Sequence, residues 1–165
     1  MNKRIHFKLY VINNEYIDYL RNFDKTVLYN KNKKRPYIGV VYTYNNINYF
    51  APLSSPKPKH LKMKIDQIDI FKIDNGKLGI ININNMIPTP MECLTEVFYI
   101  IDDEKYKNLL QKQITFINLP INSIKLINKV RHFQSEYKRN KLPEHILKRS
   151  CNFKLLEQKC KEWKG

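Results

Sequence analysis

Hydrophobic and β-branched residues alternate with polar residues over much of the first hundred positions, and turn-forming residues separate the segments. Asn45-Asn46 and Asp74-Asn75-Gly76 lie between paired segments, and both favour the left-handed conformations of tight turns. The sequence therefore predicts two β-hairpins. The predicted strands cover residues 7–12, 37–44, 47–53, 68–73, 78–83 and 94–101.

Apolar residues at helical spacing mark the other elements. Asn14 is predicted to cap a short early helix, and Asp102-Asp103-Glu104 places negative charge at the start of a longer one, where the helix dipole favours it. Pro120 separates that helix from the next, and a last helix is predicted to begin near Asn152. The apolar stripes are Tyr16, Leu20 and Phe23; Tyr106, Leu109, Leu110, Ile114 and Ile117; Ile124, Ile127, Val130, Phe133 and Tyr137; and Phe153, Leu156, Cys160 and Trp163.

Strands dominate the first hundred residues and helices the rest, without βαβ alternation. This order predicts an α+β protein, with a compact twisted antiparallel sheet or partly open barrel packed against several helices. With 165 residues and 42% apolar content, the chain is expected to form one domain over residues 1–165.

The sequence predicts a cytoplasmic location. It contains no run of 18 apolar residues, so no membrane span is expected, and Met1 to Phe7 lack the apolar region of a secretory signal. The cysteines Cys93, Cys151 and Cys160 are odd in number and widely spaced, so they are interpreted as reduced packing residues.

The net charge of the chain indicates the kind of partner that it binds. The chain carries 30 Lys and Arg against 15 Asp and Glu, a formal net charge of +15. An excess of one sign favours a polyanionic partner, and the eleven Tyr and eight Phe supply rings that can stack on unpaired bases. The alternative is a basic, solvated surface that reflects composition. Three basic clusters stand out: Lys31 to Arg35, Lys57 to Lys64, and Lys125 through Arg149.

Candidate chemistry is concentrated in the segment that follows the predicted strand 47–53. Ser54-Ser55-Pro56-Lys57 and His60 bring two hydroxyls, a cation and an imidazole together. Pro56 and Pro58 restrict the backbone, so the loop is expected to be ordered before a ligand binds. This composition suits a phosphate, although Pro-Lys repeats also occur in exposed linkers.

The acidic residues do not form a convincing metal site. Two-metal nucleases need several converging carboxylates, whereas Asp102-Asp103-Glu104 is explained by helix capping. We therefore predict no metal and no cofactor. RNA offers a metal-free route, because its 2′-hydroxyl can attack the neighbouring phosphate when the protein aligns the attack and neutralises charge.

Six segments spread along nearly the whole chain match a known family in that family's order. They are Tyr16-Ile-x-Tyr-Leu-x-x-Phe-Asp24, Pro36-Tyr-Ile-Gly-Val40, Tyr49-Phe-Ala-Pro-Leu-Ser-Ser-Pro-Lys57 with His60, Leu78-Gly-Ile-Ile-Asn-Ile83 with Met86-Ile-Pro88, Tyr106-Lys-x-Leu-Leu-x-Lys-Gln-x-x-Phe-Ile117, and Cys151-Asn-Phe-Lys-Leu-Leu-Glu157. In these segments the chain resembles the ToxN/AbiQ family of type III toxin–antitoxin endoribonucleases, and in particular its CptN-type members.

The resemblance implies an SH3-like barrel of the Kid/MazF kind, extended by several helices. It also implies a metal-independent, sequence-preferring RNA endonuclease that leaves 2′,3′-cyclic phosphate and 5′-hydroxyl ends. The implied partners are cellular or phage RNA substrates and an RNA antitoxin, a repeated pseudoknot that the toxin trims from a precursor. Toxin and antitoxin are expected to form a cyclic hetero-oligomer, with a role in defence against phage.

The resemblance also implies the catalytic residues, which are Arg35, Ser54, Ser55 and Lys57. His60 is a candidate acid or base from its place in the loop, with a surface residue as the alternative. Relatives can have Lys at position 35 and Thr at position 54, and an aromatic residue at position 59, which is Lys59 here. For Tyr16 and Tyr29, packing is an equal alternative to RNA contact. The predicted RNA-binding residues are Tyr16, Tyr29, Lys33, Lys34, Lys59, Lys62, Lys125, Lys129, Arg131 and Lys138.

Two other function classes share parts of this pattern. A non-catalytic RNA-binding module would have the same charge and aromatic residues but would not need the Ser-Ser-Pro-Lys loop. A DNA-binding regulator would prefer duplex DNA and would usually place a helix in the major groove.

Overall fold

The computed structural model describes residues 5–30 and 34–165 of the chain, and these residues form one antiparallel sheet with helices packed against it. The strands are β1 (Lys8–Ile12), β2 (Pro36–Tyr44), β3 (Ile47–Ser54), β4 (Ile70–Lys72), β5 (Ile80–Asn82), β6 (Ile87–Pro88) and β7 (Leu94–Glu96). The helices are α1 (Asn14–Arg21), α2 (Pro58–Lys62), α3 (Glu104–Ile117), α4 (Pro120–Lys138), α5 (Glu144–Arg149) and α6 (Phe153–Glu162).

Both predicted hairpins are confirmed. Between β2 and β3, Asn45 and Asn46 adopt φ angles of 49° and 64°, as a two-residue turn of this kind requires. The β4–β5 hairpin has shorter strands than predicted, and its turn places Asp74 and Asn75 at φ angles of 49° and 55°. Asparagine and aspartate tolerate this region better than most residues, so composition alone located both turns.

The sheet order is β4-β5-β3-β2-β1-β7, and β6 pairs with β3. One edge of β3 pairs with β2, and its other edge pairs with β6 at Tyr49 and Phe50 and with β5 at Leu53 and Ser54. Within the described residues, β4 and β7 each pair on one side, so the sheet is open and does not close into a barrel. The predicted α+β class is confirmed, whereas the SH3-like barrel is not.

Helix caps explain where the helices begin. Asp103 accepts the backbone N–H of Tyr106 at 3.0 Å, and Asn152 accepts that of Leu155 at 3.2 Å, which confirms both predicted starts. In the first helix the cap is Asn13 instead of the predicted Asn14.

Three local features differ from the sequence prediction. The predicted strand 94–101 is extended only over β7, and Val97–Tyr99 form a 3₁₀ turn. Phe23 lies beyond the end of α1 and is exposed. Helices α2 and α5 were not predicted, because five or six residues are too few to show a helical period.

Aromatic residues form much of the core between the sheet and the helices. Phe153 of α6 packs edge-on against Tyr49, Phe133 and Tyr137. Cys93 and Cys151 are buried and Cys160 is half-buried, all three as free thiols, so the packing interpretation of the cysteines is confirmed. Within residues 5–30 and 34–165, no helix has the length and apolar character needed to cross a membrane.

Candidate active site

Two clefts meet at the loop between β3 and α2, and both are lined by Ser54 and Lys57. We name them after the arginine that each contains. The Arg35 cleft, of about 600 Å³, is lined by Lys34, Arg35, Pro36, Leu53, Ser54, Ser55, Lys57, Ile101, Asp102, Asp103 and Tyr106. The Arg149 cleft, of about 450 Å³, is lined by Lys25, Thr26, Leu28, Ser54, Lys57, Lys59, His60, Met63, Gln67, Asp69, Ile70, Ile80, Asn82, Asn84, Asn85 and Arg149.

The hydroxyl of Ser54 is held by a neighbouring strand. Ser54 ends β3 opposite Ile80 of β5, and Asn82 of β5 donates a hydrogen bond from Nδ2 to Ser54 Oγ at 2.9 Å. Because Oγ accepts this bond, its proton remains available to donate to a ligand. Ser55, the next residue, is exposed and lines the Arg35 cleft but not the Arg149 cleft.

The turn between β4 and β5 lies directly against this loop. Gly79, at a φ of +97°, packs so closely on the Ser54 carbonyl that a Cβ atom would collide with the oxygen. Gly76, at a φ of +91°, lies under the carbonyl of His60, where a Cβ atom would approach the oxygen to 2.5 Å. These two glycines allow the turn to support both ends of the Ser54–His60 segment.

His60 lies inside this segment and is 1% exposed. Its Nδ1 accepts the backbone N–H of Lys57 at 3.1 Å, which places the proton of the neutral ring on Nε2. Burial, and then the charges of nearby lysines, lowers the pKa of His60 below its usual value, so the ring is neutral at pH 7. In this geometry His60 fixes the backbone at Lys57.

Arg35 enters its cleft just ahead of β2. Its Nε donates to the carbonyl oxygen of Tyr29 at 2.7 Å, and its backbone N–H donates to Asn30 Oδ1 at 3.3 Å. Asn30 is buried and donates from Nδ2 to the carbonyl of Ile12 at 2.8 Å, which ties the segment to β1. The guanidinium is thus positioned by Nε, and within residues 5–30 and 34–165 no hydrogen-bond partner engages its two Nη groups.

The predicted aromatic contacts separate into one exposed and one buried residue. Tyr29 is 68% exposed, and the guanidinium of Arg21 lies 3.5 Å from its ring centroid, so its outer face can stack on a base. Tyr16 is fully buried against Trp163, and its hydroxyl donates to the Pro88 carbonyl at 2.5 Å. The structure therefore corrects the RNA-contact interpretation of Tyr16 in favour of packing.

Of the predicted basic contacts near the loop, Lys34 lies in the Arg35 cleft and Lys59 in the Arg149 cleft. Lys62 is exposed on α2 and lines neither cleft. Lys33 lies outside the described residues. Lys57 is exposed at the shared position, which makes it the cation common to both clefts.

The predicted distal cluster on α4 does not form one surface. At about 100° per residue, Lys125 and Lys129 share a face, and Arg131 and Lys138 share another roughly half a turn away. Lys129 donates from Nζ to the Ile65 carbonyl at 2.8 Å, and burial lowers its pKa. Lys138 instead lies over the exposed ring of Tyr44, 3.7 Å from its centroid.

Several residues of the clefts were not identified from the sequence. Asn82 and Arg149 lie in the Arg149 cleft, and Tyr106, whose pKa is raised by burial, lies in the Arg35 cleft. The sequence placed Arg149 in the third basic cluster, but it carried no signal that Arg149 or Asn82 joins the loop, because their position depends on tertiary packing. Within residues 5–30 and 34–165, no three His, Cys, Asp or Glu side chains are grouped as metal ligands would be.

Comparison with known proteins identifies the family. The family model described as "Toxin ToxN, type III toxin-antitoxin system" matches residues 8–161. The chain belongs to the ToxN toxin family. The resemblance to the ToxN/AbiQ family noted from the sequence motifs is thereby confirmed.

Individual members of the ToxN family match over nearly the whole chain. The endoribonuclease ToxN of Bacillus thuringiensis subsp. kurstaki is 34% identical, over 99% of this chain and 88% of that protein. The structure of AbiQ, a lactococcal anti-phage endoribonuclease, superposes with a TM-score of 0.80 at 30% identity, covering 96% of this chain and 98% of AbiQ. A structure from work on selective toxin inhibition by a non-coding RNA pseudoknot superposes with a TM-score of 0.76 at 32% identity, covering 96% of this chain and 98% of that one.

Proposed function

We propose that this ToxN family protein is a toxin that cuts RNA where the Arg35 and Arg149 clefts meet. One observation carries the proposal: two basic clefts converge on Ser54 and Lys57, so a strand that follows both passes over these side chains. Related proteins named endoribonucleases support it.

The reaction that fits these side chains uses the substrate's own 2′-hydroxyl. Its oxygen forms a bond to the adjacent phosphorus as its proton passes to a general base of the protein or to water. The bond from phosphorus to O5′ breaks as O5′ takes a proton from a general acid or from water, so that no net proton is consumed. The products are a 2′,3′-cyclic phosphate and a 5′-hydroxyl. Because the protein has only to align the attack, neutralise charge and move protons, no metal ion is required.

Each side chain has a role in this scheme. Lys57 and Arg35 neutralise the charge that develops on the phosphorane, and Arg35 can do so with two parallel N–H groups. Ser54 and Ser55 donate hydrogen bonds to the scissile phosphate or to the 2′-hydroxyl. His60 keeps the backbone of Lys57 in position, and Tyr29 stacks on a base beside the Arg35 cleft.

The proposed inhibitor is an RNA antitoxin, a repeated pseudoknot that the toxin trims from a precursor and with which it forms a cyclic hetero-oligomer. Two observations support this partner: inhibition of a related toxin by a non-coding RNA pseudoknot, and the net charge of +15. The proposed role is defence against phage, as in the anti-phage relative AbiQ.

The test is cleavage of RNA in excess EDTA. The protein should cut at an undiminished rate, and the products should resist ligation until their cyclic phosphate has been opened. Loss of cleavage on chelation would contradict the metal-free reaction, and RNA that stays intact under all conditions would favour a non-catalytic RNA-binding protein.

The Lys57→Ala variant links that cleavage to the site. We expect a loss in kcat of about 100-fold or more, because a charge-stabilising group has been removed, with antitoxin RNA still bound. Lys64→Ala is the matched control, since Lys64 is exposed and lines neither cleft.

A further inference from the structure

The Arg149 cleft contains an arginine that, like Arg35, is held by a hydrogen bond from Nε. Arg149 is the last residue of α5, and its side chain is about half exposed. Its Nε donates to Oδ2 of Asp69 at 2.8 Å, and the Asp69 side chain is 2% exposed. The buried carboxylate therefore fixes the plane of a guanidinium that is accessible from the cleft.

The backbone of Arg149 is fixed as well. The carbonyl oxygen of Arg149 accepts hydrogen bonds from Nδ2 of Asn84 at 3.0 Å and of Asn85 at 3.4 Å. Both asparagines are buried, and both line the same cleft. Because the residue is held at its carbonyl and at Nε, binding a ligand costs little side-chain entropy.

The remaining nitrogens of Arg149 have the geometry that a phosphate needs. In the described part of the chain, the hydrogen bond to Asp69 is the one that the guanidinium makes, so both Nη groups are free. Nη groups can donate paired hydrogen bonds to two phosphate oxygens.

The charge of the cleft favours the same ligand. Lys25, Lys57 and Lys59 line it together with Arg149, whereas Asp69 is the one carboxylate among its described lining residues, and it is paired. The cleft also shares Ser54 and Lys57 with the Arg35 cleft, so an anion bound at Arg149 lies beside the proposed point of cleavage.

We propose that Arg149, held by Asp69, binds a non-scissile phosphate of the substrate RNA that neighbours the scissile one. Arg35 then holds the strand on one side of the cut and Arg149 on the other, so that the scissile phosphate is stretched across Ser54 and Lys57. This inference rests on the proposed function, because it requires RNA to occupy both clefts.

The test uses a short RNA whose cleavage position has been mapped with the wild-type protein. Each non-scissile phosphate within three nucleotides of the cut is replaced, one at a time, by an uncharged methylphosphonate. In the wild type, one position should lower kcat/KM by about 10- to 100-fold, as expected for loss of charge-assisted hydrogen bonds. The Arg149→Gln variant should cut the unmodified RNA with a similar loss, mainly in KM, and should be insensitive to methylphosphonate at that position.

Two further variants make the test decisive. Arg139→Gln removes the same charge from an exposed residue that lines neither cleft, and should keep the wild-type pattern. Arg149→Lys retains the charge without the paired N–H groups of the guanidinium, and should show an intermediate loss of kcat/KM. It provides the test if Arg149→Gln does not fold. Unchanged sensitivity at every position in the Arg149 variants would overturn the proposal. So would a wild-type loss of rate on 7-deazaguanine RNA that disappears in Arg149→Gln, because Arg149 would then bind a base instead of a phosphate. If the wild type cuts no RNA at all, the proposed function itself fails.

Discussion

At the scale of single residues, the candidate site consists of side chains that are each held by a specific partner. Asn82 holds the Ser54 hydroxyl, and the Tyr29 carbonyl holds Arg35 through Nε. His60 holds the Lys57 backbone. Such positioning before the ligand binds is what a reaction driven by alignment and charge requires, since little reorganisation remains for the chemical step.

His60 should make the stability of the protein dependent on pH. Its pKa in the folded protein is lowered by burial, so between the unfolded value near 6.5 and that lower value the unfolded chain binds more protons. The His60 contribution is therefore complete above about pH 6.5 and is lost as the pH falls below it, with a slope of at most about 1.4 kcal/mol per pH unit. Denaturant unfolding from pH 8 to pH 5 measures this decline.

The matched variant for this measurement is His60→Asn, whose side-chain oxygen can still accept the Lys57 N–H. It should show a smaller decline in unfolding free energy over the same pH range, whereas His145→Asn, at an exposed position on α5, should follow the wild type. A His60→Asn profile that runs parallel to the wild type would show that His60 is protonated equally well in both states.

The site residues that could be predicted are those that are neighbours both in the sequence and in the folded protein. Ser54, Ser55 and Lys57 follow one another at the end of a strand, and their composition indicated a phosphate. Arg149 joins them from a segment more than 90 residues away, by packing of α5 on the asparagines of residues 84–85. Tyr16 was assigned to RNA as readily as to packing, because a phenol suits both and burial is not visible in a local pattern.

At the scale of elements, the turn between β4 and β5 is the part that positions the loop. The sequence signal Asp74-Asn75-Gly76 was sufficient to predict a hairpin turn, because it contains residues that tolerate positive φ. It did not show that Gly76 and Gly79 pack under the carbonyls of His60 and Ser54. That function depends on the pairing of β5 with β3, which brings the turn to the loop.

Gly79→Ala should damage the site through the loop. The new Cβ atom would collide with the Ser54 carbonyl, and its positive φ would add strain of about 1–3 kcal/mol. We expect a lower unfolding free energy and, at a temperature where the variant is still folded, a fall in kcat of about 10- to 100-fold, because a displacement of about 1 Å disturbs alignment.

The control for this change is Gly165→Ala, where φ is likewise positive, at +76°, but nothing lies within 4 Å of the added atom. Cleavage rates should match the wild type for that variant, because the added atom collides with no part of the loop. Wild-type cleavage by folded Gly79→Ala would mean that the loop adjusts freely and that the turn does not position it.

At the scale of the whole molecule, the net charge of +15 predicted a polyanionic partner but could not show which surfaces of the protein the partner contacts. The open sheet places the two clefts at one end of β3, while α4 carries basic residues on two faces. A sequence cluster spread over 14 residues of helix wraps around its axis, so Lys125 and Lys138 cannot act as one surface.

The two faces of α4 should contribute unequally to binding of the antitoxin RNA. Lys138 lies over the exposed ring of Tyr44 and beside the partly buried Tyr42, a combination that suits phosphate and base together. Lys129, in contrast, is partly buried and bonded to the Ile65 carbonyl. We compare Arg131→Gln/Lys138→Gln with Lys125→Gln/Lys129→Gln, which remove equal charge. The first should bind antitoxin more weakly and should flatten the slope of log affinity against log salt by roughly 0.7 per lost contact.

The second double variant should change affinity and slope less, and both should cut a short unstructured RNA at the wild-type rate, because α4 supplies no residue to either cleft. The Arg131→Gln/Lys138→Gln toxin would still cut RNA but would be poorly inhibited by the antitoxin RNA, so co-expression with the antitoxin should no longer restore growth. Equal loss of affinity in the two variants would show that the RNA responds only to total charge. No loss in either would place the antitoxin on other elements of the fold.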